Sequence, residues 1–448
     1  NILGSLPVPK LVWTMSAPIM LSMLMSAIYN LVDSIYVAQV SELDFLALSY
    51  AYPVQLMMVA FCAGTGVGFN ALFAQRLGAG QKEEANRVAC HGFLFYGLCW
   101  LLFLAFALLG APLFFRLSTD NAAVAAAGAS YLVICCGLSI GMCMQFLTER
   151  LLQTTGHPAG FMIVQGSGAI LNIILDPVFI FGLDMGMVGA AAATVIGQFC
   201  GAGMTLYFNL NKNPDIQISF RGFRPSAKAI GRIYTVGLPS IAMQCVGSVM
   251  TFFMNQILMA FSATAVAVFG VYFKLQSFVF MPIFGMNNGM VPIISYNYGA
   301  RKPERVKKTI RLSVFYAECI MLVGFCIFQF LPDKLLGLFA ASDAMLAIGV
   351  PALRIICPHF LLAGAGIVLS SVFQALGNGV FSLTVSICRQ LVVLIPAAWL
   401  LSRTGEVNMV WWAFIIAEVA SLALSLVFMA RINRTVIVPL SEKQDAAV

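Results

Sequence analysis

The sequence predicts an all-α polytopic membrane protein with twelve transmembrane helices in two pseudo-symmetric six-helix bundles. Three observations lead to this prediction. The 448 residues are 60% hydrophobic and only 10% charged, whereas soluble domains have about 25% charged residues. Apolar stretches of about 20 residues or more recur along the whole chain, as transmembrane helices require. Identical residues also recur at a constant offset of 221 positions, including Pro18 and Pro239, Gly78 and Gly299, and Gln153 and Gln374.

The apolar stretches place six spans in each half of the chain. Because six is an even number, both halves enter the membrane from the same side and form a parallel repeat. The spans are predicted at residues 11–38, 45–76, 87–117, 121–150, 159–182, 186–211, 228–260, 265–297, 305–332, 342–375, 379–402 and 408–432.

The domain boundaries follow from the polar stretch that joins the two halves. We expect an amino-terminal lobe with a cation-coupling site, a cytoplasmic linker, a carboxy-terminal lobe and a cytoplasmic tail. These regions are predicted at residues 1–211, 212–227, 228–432 and 433–448.

Lys and Arg residues predict the orientation in the membrane. Of the 25 such residues, three lie within predicted spans, three lie in loops on one side (Arg116, Lys334, Arg403), and the remaining nineteen lie on the other side. The positive-inside rule assigns the richer side to the cytoplasm. We therefore expect both termini in the cytoplasm and a plasma-membrane location, with a bacterial inner membrane favoured. The net charge of +7 reflects this topology, and no nucleic-acid partner is expected.

Motifs that would indicate an enzyme are missing from the sequence. It contains no G-x-x-x-x-G-K-[ST] loop and no H-E-x-x-H, and its three histidines are scattered. Its one G-x-S-x-G match, at residues 137–141, lies inside an apolar predicted span and not at a strand-to-helix turn. The sequence therefore predicts no enzyme, no catalytic residues and no cofactor.

Carboxylates inside the predicted spans are the main functional signal, because a charge within the membrane is costly unless it is paired or hydrated. Asp33 lies in span 1, with Tyr29 and Asn30 one turn earlier on the same helix face. Asp176 lies in span 5, with Asn172 one turn earlier.

Only the first half of the chain carries these acids. At the offset of 221, Asp33 corresponds to Met254, and the region equivalent to Asp176 contains Ile395 and Pro396. Two carboxylates with a flanking amide provide the hard oxygen ligands of a proton relay or an alkali cation site. The alternative is that each Asp only forms a hydrogen bond with a neighbouring helix. A duplicated membrane protein with its acids in one half indicates a transporter whose coupling site lies in that half.

Two segments carry a more specific resemblance. PIMLSMLMSAIYNLVDSIYVAQV and LNIILDPVFIFGLDMGMVGAAAATVIGQ, together with Q-x-x-G elements that start at Gln153 and Gln374, resemble the multidrug and toxic compound extrusion (MATE) family. The resemblance implies two six-helix lobes around a central cavity. It also implies export that is driven by inward movement of Na⁺ or H⁺.

The same resemblance implies the residues of the cation-coupling site, which are Asp33, Asn172, Asp176 and Thr194. These four are the expected ligands if the coupling ion is Na⁺. Tyr131 matches a helix 4 tyrosine of some family members, and Tyr29 and Asn30 are further supporting candidates. The second lobe has Met254-Asn255 in span 7 and no acid in span 10. The chain therefore resembles the MepA-like and DinF-like side of the family rather than the NorM-like side.

Several other side chains are assigned weaker hypotheses. Aromatic residues that are candidates for lining a substrate cavity, with helix packing or lipid contact as the alternative, are Tyr52, Phe252, Phe253, Phe273 and Phe278. Glu318 and Glu418 are expected to pair with Lys274, Arg354 or Arg389 within the second lobe. Glu149, beside Arg150 near the cytoplasmic end of span 4, is expected to be solvated.

The function that the sequence favours is antiport of amphipathic, often cationic organic compounds against H⁺ or Na⁺. Flipping of a lipid-linked precursor is the first alternative, and it would require a cationic central cavity. An embedded enzyme or a channel is less consistent with the missing catalytic motifs and the unequal halves. The expected partners are small organic substrates and the lipid bilayer, and the protein is expected to be a monomer.

Overall fold

The protein is almost entirely helical. The computed structural model describes residues 2–40, 42–118, 120–211, 213, 224–338 and 341–446, and these residues form helices and turns but no strand. Within the described residues, ten helices are long and apolar enough to cross a membrane, and two bent helix pairs raise the number to twelve. The predicted fold class is thereby confirmed.

Six of these helices come from the first half of the chain. They are α1 (Val8–Val40), α2 (Glu42–Gly78), α3 (Lys82–Ala105, continued by Ala111–Ser118), α4 (Ala122–Gly137 and Ile140–Thr154, which meet at a bend of 44°), α5 (Pro158–Pro177) and α6 (Met187–Asn211).

The second half repeats this arrangement. Its helices are α7 (Ala227–Met259), α8 (Ala263–Gly299), α9 (Pro303–Phe330), α10 (Asp343–Ile356 and His359–Ala375, bent by 53°), α11 (Gly379–Ile387, continued by Leu394–Ser402) and α12 (Trp412–Ile432). Short helices also occur at Ile2–Ser5, Pro332–Gly337 and Val407–Val410. Each predicted span therefore coincides with one helix or one bent pair.

Wide π-helical turns interrupt several helices next to prolines. In the described chain these turns are Phe106–Gly110, Val178–Gly182, Cys388–Val393 and Asn433–Ile437. Three of them end two or three residues before a proline, at Pro112, Pro396 and Pro439, and the fourth begins directly after Pro177. A proline ring clashes with the carbonyl group four residues earlier, and a widened turn accommodates that clash. The last of these turns lets α12 continue into the helix Val438–Ala446, so the segment predicted as a tail is helical.

The chain forms two compact units. The first comprises Thr14–Ile233 with the residues up to Ser5, and the second comprises Leu6–Trp13 and Tyr234–Val448. The division thus falls inside α7 rather than in the predicted linker, of which residues 212 and 214–223 lie outside the described part of the chain. The start of α7 belongs to the first unit, and the start of α1 belongs to the second.

The 221-residue repeat is visible in the packing within each unit. A Cβ atom added to Gly128 on α4 would overlap the ring of Phe115. A Cβ atom on Gly349 of α10 would lie 2.6 Å from Cδ1 of Leu336. Both members of the first pair lie 221 residues before their counterparts, so the same close contact packs the amino-terminal half of α4 and of α10.

The repeated turns explain the Q-x-x-G elements. Gly156 and Gly377 have φ angles of 83° and 84°, and each amide donates a hydrogen bond to the glutamine carbonyl three residues earlier, at 3.1 Å. This left-handed conformation favours glycine because it lacks a Cβ atom. The elements therefore end α4 and α10 in the same way.

The turns after α2 and α8 are also equivalent, but only one has glycine at its left-handed position. Gly80 has a φ angle of 77°, and its counterpart Arg301 has a φ angle of 56°. The amide of the following residue donates to the carbonyl five residues earlier in both turns, at 3.1 Å for Gln81 and 2.9 Å for Lys302. The left-handed region costs a non-glycine residue about 1–2 kcal/mol.

We expect Arg301→Gly to stabilise the folded protein by about 1 kcal/mol, because relief of this strain exceeds the entropy that glycine adds to the unfolded chain. Thermal unfolding in detergent would measure the change. Arg301→Ala is the matched control, since it removes the side chain and keeps the strain. An equal gain in both variants would show that the side chain, rather than the backbone conformation, limits stability.

Candidate functional site

Two buried carboxyl groups meet inside the first unit. Asp33 on α1 is 7% exposed and Asp176 on α5 is 0% exposed, and their side chains lie within hydrogen-bonding distance of each other. Oδ1 of Asp33 is buried and has no hydrogen-bond partner among the described residues. Two carboxylates in contact repel each other, so the arrangement requires a proton or a cation between them.

Asn172 connects this pair to α6. The side-chain amide of Asn172 is oriented so that both its nitrogen and its oxygen have hydrogen-bond partners. In this orientation its nitrogen donates to Oδ2 and Oδ1 of Asp176 at 3.0 and 3.2 Å. Its oxygen then accepts from the backbone N–H of Thr194 at 3.3 Å. The Thr194 hydroxyl donates to the Ala190 carbonyl at 3.0 Å, which leaves its lone pairs available to the site. The structure thus brings together Asp33, Asn172, Asp176 and Thr194.

Glycines allow α5 and α6 to approach closely enough for these contacts. A Cβ atom on Gly197 would lie 3.3 Å from the Gly168 carbonyl, and one on Gly168 would lie 3.6 Å from the Gly197 carbonyl. At the start of α6, a Cβ atom on Gly189 would lie 2.8 Å from the Phe179 carbonyl oxygen. Small residues of this kind let transmembrane helices pack backbone against backbone.

Tyrosines and an amide surround the carboxyl pair. The Tyr29 hydroxyl donates to Oγ1 of Thr194 at 3.4 Å, and Gln55 on α2 donates to the Tyr131 hydroxyl at 2.9 Å. Tyr131 is buried, and it lies close enough to Asp33 and Tyr29 to interact with them electrostatically. The backbone of Asn30 is helical, but its side chain lies outside the described part of the chain.

A cavity of about 400 Å³ extends from this site. It lies between α1, α2, α4, α5 and α6, and no Lys or Arg is among the described residues that line it. Its polar lining residues are Ser26, Tyr29, Gln55, Gln145, Glu149, Gln165, Asn172, Thr194 and Gln198.

Glu149 is the acid of this cavity, and the expectation that it is solvated was wrong. Glu149 is only 4% exposed. Its Oε1 atom accepts hydrogen bonds from Gln145 and Gln165, both at 2.9 Å, and Ser26 donates to the Gln165 amide oxygen at 3.4 Å. Glu149 therefore faces the cavity between the helices, where Gln165 from α5 covers its carboxyl group.

Sequence analysis predicted Asn172 but missed the glutamine side chains of this cavity. The available signal was spacing: Gln145 and Glu149 lie one turn apart on α4, and Ser26, Tyr29 and Asp33 share one face of α1. A polar stripe that continues for several turns along a transmembrane helix indicates a hydrated path rather than a single hydrogen bond.

Four of the five aromatic candidates do not line this cavity. Phe252, Phe253 and Phe278 lie exposed on the second unit. Phe273 packs edge-to-face against Phe269, with ring centroids 4.9 Å apart. The side chain of Tyr52 lies outside the described residues.

The other membrane charges are engaged within the second unit. Arg389 forms an ion pair with Glu418 at 3.8 Å, as one of the expected pairings. Glu318 accepts from the backbone N–H of Ala365 at 3.0 Å, and the Arg354 guanidinium donates to the Gln329 carbonyl at 3.2 Å. Lys274 is exposed.

The donor set of the site suits a proton or an alkali cation. Carboxyl, amide and hydroxyl oxygens are hard ligands. Among the described residues, no three His, Cys, Asp or Glu side chains come close enough together to hold a metal ion. The site therefore offers oxygen atoms of the kind that a proton or an alkali cation binds.

Comparison with known proteins agrees with this architecture. The chain is 26% identical over 435 residues to the multidrug export protein MepA of Staphylococcus aureus (strain MRSA252), covering 96% of both chains. It is 28% identical over 433 residues to MepA of Staphylococcus haemolyticus (strain JCSC1435), covering 94% of this chain and 93% of the relative.

Solved structures show the same fold. A MATE crystal structure in the straight conformation superposes with a TM-score of 0.90 at 26% identity, covering 98% of both chains. An outward-facing MATE family multidrug resistance transporter gives 0.89 at 25% identity, covering 97% of both. The MatE family model matches residues 18–178 and 239–400, one match in each repeat. The resemblance found in the sequence is thereby confirmed, and the chain belongs to the MatE family.

Proposed function

We propose that the protein is a secondary active multidrug exporter that exchanges amphipathic, often cationic organic compounds for H⁺ or Na⁺ by alternating access. Family membership and the relatives named multidrug export protein support the export of varied compounds. The location that fits this function is the bacterial inner membrane, with both termini in the cytoplasm. The protein itself supplies no bound cofactor and acts as a monomer in this proposal.

The observation that carries the ion-coupling part of the proposal is the contact between Asp33 and Asp176. A proton or Na⁺ ion stabilises this contact, and loss of the ion leaves two like charges in an apolar bundle. Since Asp33 lies on α1 and Asp176 on α5, ion binding changes the free energy of bringing these helices together. An ion can drive a conformational equilibrium only through such a difference in affinity between states.

The cavity lining supports a cationic substrate. Glu149 provides a carboxyl group that becomes negative when it ionises, several amides provide adaptable hydrogen bonds, and no Lys or Arg occurs among the described lining residues. A flippase for an anionic lipid-linked precursor would need cationic groups instead. In addition, Arg389 is already paired with Glu418 in the other unit. Export of cations is therefore favoured over the flippase alternative.

The proposed coupling predicts the effect of Asp33→Asn. This variant should fold but lose ion-driven drug transport in proteoliposomes, because the coupling free energy, typically about 1–3 kcal/mol, disappears with the ion site. A Na⁺ gradient alone and then a pH gradient alone should each be applied. The matched controls are Met254→Leu, at the symmetry-related buried position, and Glu318→Gln. Uphill transport by Asp33→Asn, or loss of coupling in stably folded Glu318→Gln, would contradict a one-lobe mechanism.

If Na⁺ binds between the carboxyl groups, protons must compete with it. Calorimetry on the purified protein should then show Na⁺ affinity falling as the pH is lowered from about 8 to about 5, by up to about tenfold per pH unit where one proton leaves for each ion bound. Asp176→Asn should abolish the binding. A Na⁺ affinity that does not change with pH would exclude a shared site, and no Na⁺ binding at any pH would leave H⁺ as the coupling ion.

The cavity chemistry predicts a separate role for Glu149. We expect Glu149→Gln to weaken binding of a cationic drug by about tenfold, in the range of 1–2 kcal/mol for a charge-assisted contact. Binding of a neutral drug of similar size should change little, because the glutamine oxygen can still accept from Gln145 and Gln165. Tryptophan fluorescence titration of both drugs would measure this. Equal losses for both drugs would indicate a structural role.

A further inference from the structure

A second cavity, of about 540 Å³, lies where α2 ends and α3 and α7 begin. All of its lining residues belong to the first unit. The lining contains five cationic side chains (Arg76, Arg87, Arg224, Lys228, Arg232) and one acidic side chain, Glu84. Among the described residues, the only ion pair at this cavity is Arg87 with Glu84 at 2.9 Å, and both of these side chains are largely exposed to solvent. The cavity therefore has a strong excess of positive charge.

A buried histidine holds the walls of this cavity together. His91 on α3 is only 1% exposed. Its Nε2 atom lies 2.9 Å from the backbone N–H of Ser226, and its Nδ1 atom lies 2.7 Å from the Arg87 carbonyl. Because the Ser226 amide can only donate, Nε2 must accept and Nδ1 must carry the proton. This bridge fixes the segment before α7 against α3, so that its cations face the cavity.

The spacing of the α7 cations supports a built site. Lys228 and Arg232 lie one turn apart on the same face of the helix, and Arg224 precedes it by three residues. The starts of α3 and α7 both lie at the cavity, and helix amino termini carry partial positive charge. Five cations from three chain segments thus line one cavity, although four of their side chains (Arg87, Arg224, Lys228 and Arg232) are also exposed to solvent.

Comparison of the two halves of the chain shows that this group of cations is more than the general excess of Lys and Arg on one side of the membrane. At the offset of 221, Arg224, Lys228 and Arg232 correspond to Leu3, Pro7 and Leu11. In the second unit, the Arg305 guanidinium donates to the Leu6 carbonyl at 2.7 Å and to Oδ1 of Asn297 at 3.0 Å. One arginine is therefore satisfied by the protein itself in the second unit, whereas several cations line an open cavity in the first.

We propose that this cavity binds the phosphate group of an anionic phospholipid headgroup from the leaflet that the Lys and Arg distribution assigns to the cytoplasm. Helix ends lie at headgroup depth, arginine guanidinium groups match phosphate oxygens, and basic pockets between helix ends bind anionic headgroups. A free phosphate ion offers the same chemistry but lacks the polar glycerol groups that would occupy the rest of a polar cavity of about 540 Å³.

The test uses the full chain and phosphatidylglycerol, with phosphatidylcholine as the zwitterionic reference and inorganic phosphate as the soluble arm. Native mass spectrometry would count retained lipids during titration. The variant Arg224→Gln/Lys228→Gln/Arg232→Gln should lower phosphatidylglycerol affinity at least about tenfold. The matched control, Arg301→Gln/Lys308→Gln/Arg311→Gln, removes three exposed cations on the same side of the membrane in the second repeat and should retain the wild-type affinity.

Three results would overturn the proposal. Equal losses in the two triple variants would mean that diffuse surface charge attracts the lipid. Equal binding of phosphatidylglycerol and phosphatidylcholine would mean that the cavity does not recognise an anion. Saturable binding of inorganic phosphate that displaces phosphatidylglycerol and depends on the same residues would assign the cavity to a soluble phosphate compound. If the triple variant does not purify in folded form, Lys228→Gln alone, with Lys308→Gln as its control, carries the same comparison.

Discussion

The first unit is organised around two carboxyl groups that meet inside an apolar helix bundle. Such a contact is unfavourable unless a proton or cation lies between the groups, since the membrane interior offers little water to screen them. The surrounding residues reduce this cost in specific ways. Asn172 donates to both oxygens of Asp176, and the close approach of α5 and α6 at Gly168 and Gly197 holds Thr194 beside the pair. Oδ1 of Asp33 keeps no protein partner among the described residues, which is the feature expected of an atom that exchanges an ion.

Among the described residues, the second unit has no counterpart of the contact between Asp33 and Asp176. Met254, the counterpart of Asp33, is fully buried and needs no partner. Oε1 of Glu418 lies 3.8 Å from the Arg389 guanidinium, and Glu318 accepts a backbone N–H. Oε2 of Glu418 is buried without a hydrogen-bond partner in the described part of the chain, so Arg389 is the group that offsets this buried charge. The repeat has therefore preserved helices and turns while the chemistry of its two copies has diverged.

The sequence predicted the helices well because hydropathy over a span of about 20 residues is a strong and local signal. It also predicted the gathering of Asp33, Asn172, Asp176 and Thr194, through helix spacing and family resemblance. It did not predict the burial of Glu149. The carboxyl group is hydrogen-bonded to Gln165 from α5, and a pattern within one helix does not specify partners on another.

The positions of wide turns and of the unit boundary were missed for a related reason. A proline indicates a disturbance of the helix, but whether the helix kinks, ends or widens depends on how the freed carbonyl groups are satisfied by their surroundings. The segment before α7 is held to the first unit by a hydrogen bond from the Ser226 amide to His91. The segment before α1 is held to the second unit by a hydrogen bond from Arg305 to the Leu6 carbonyl. Neither contact follows from the residues on each side of it.

In the proposed function, the cavity links two acids at different depths. Asp33 and Asp176 lie in the halves of α1 and α5 that face away from the predicted cytoplasmic side, whereas Glu149 lies on α4 near that side. Tyr29, Asn172 and Thr194 line the same cavity as Glu149. A bound organic cation and the coupling ion would therefore both be attracted by the same group of carboxylates. Each would lower the affinity for the other through electrostatic repulsion, which is strong in a site with little water. Antiport requires this kind of mutual exclusion, and it would arise here without direct overlap of the two ligands.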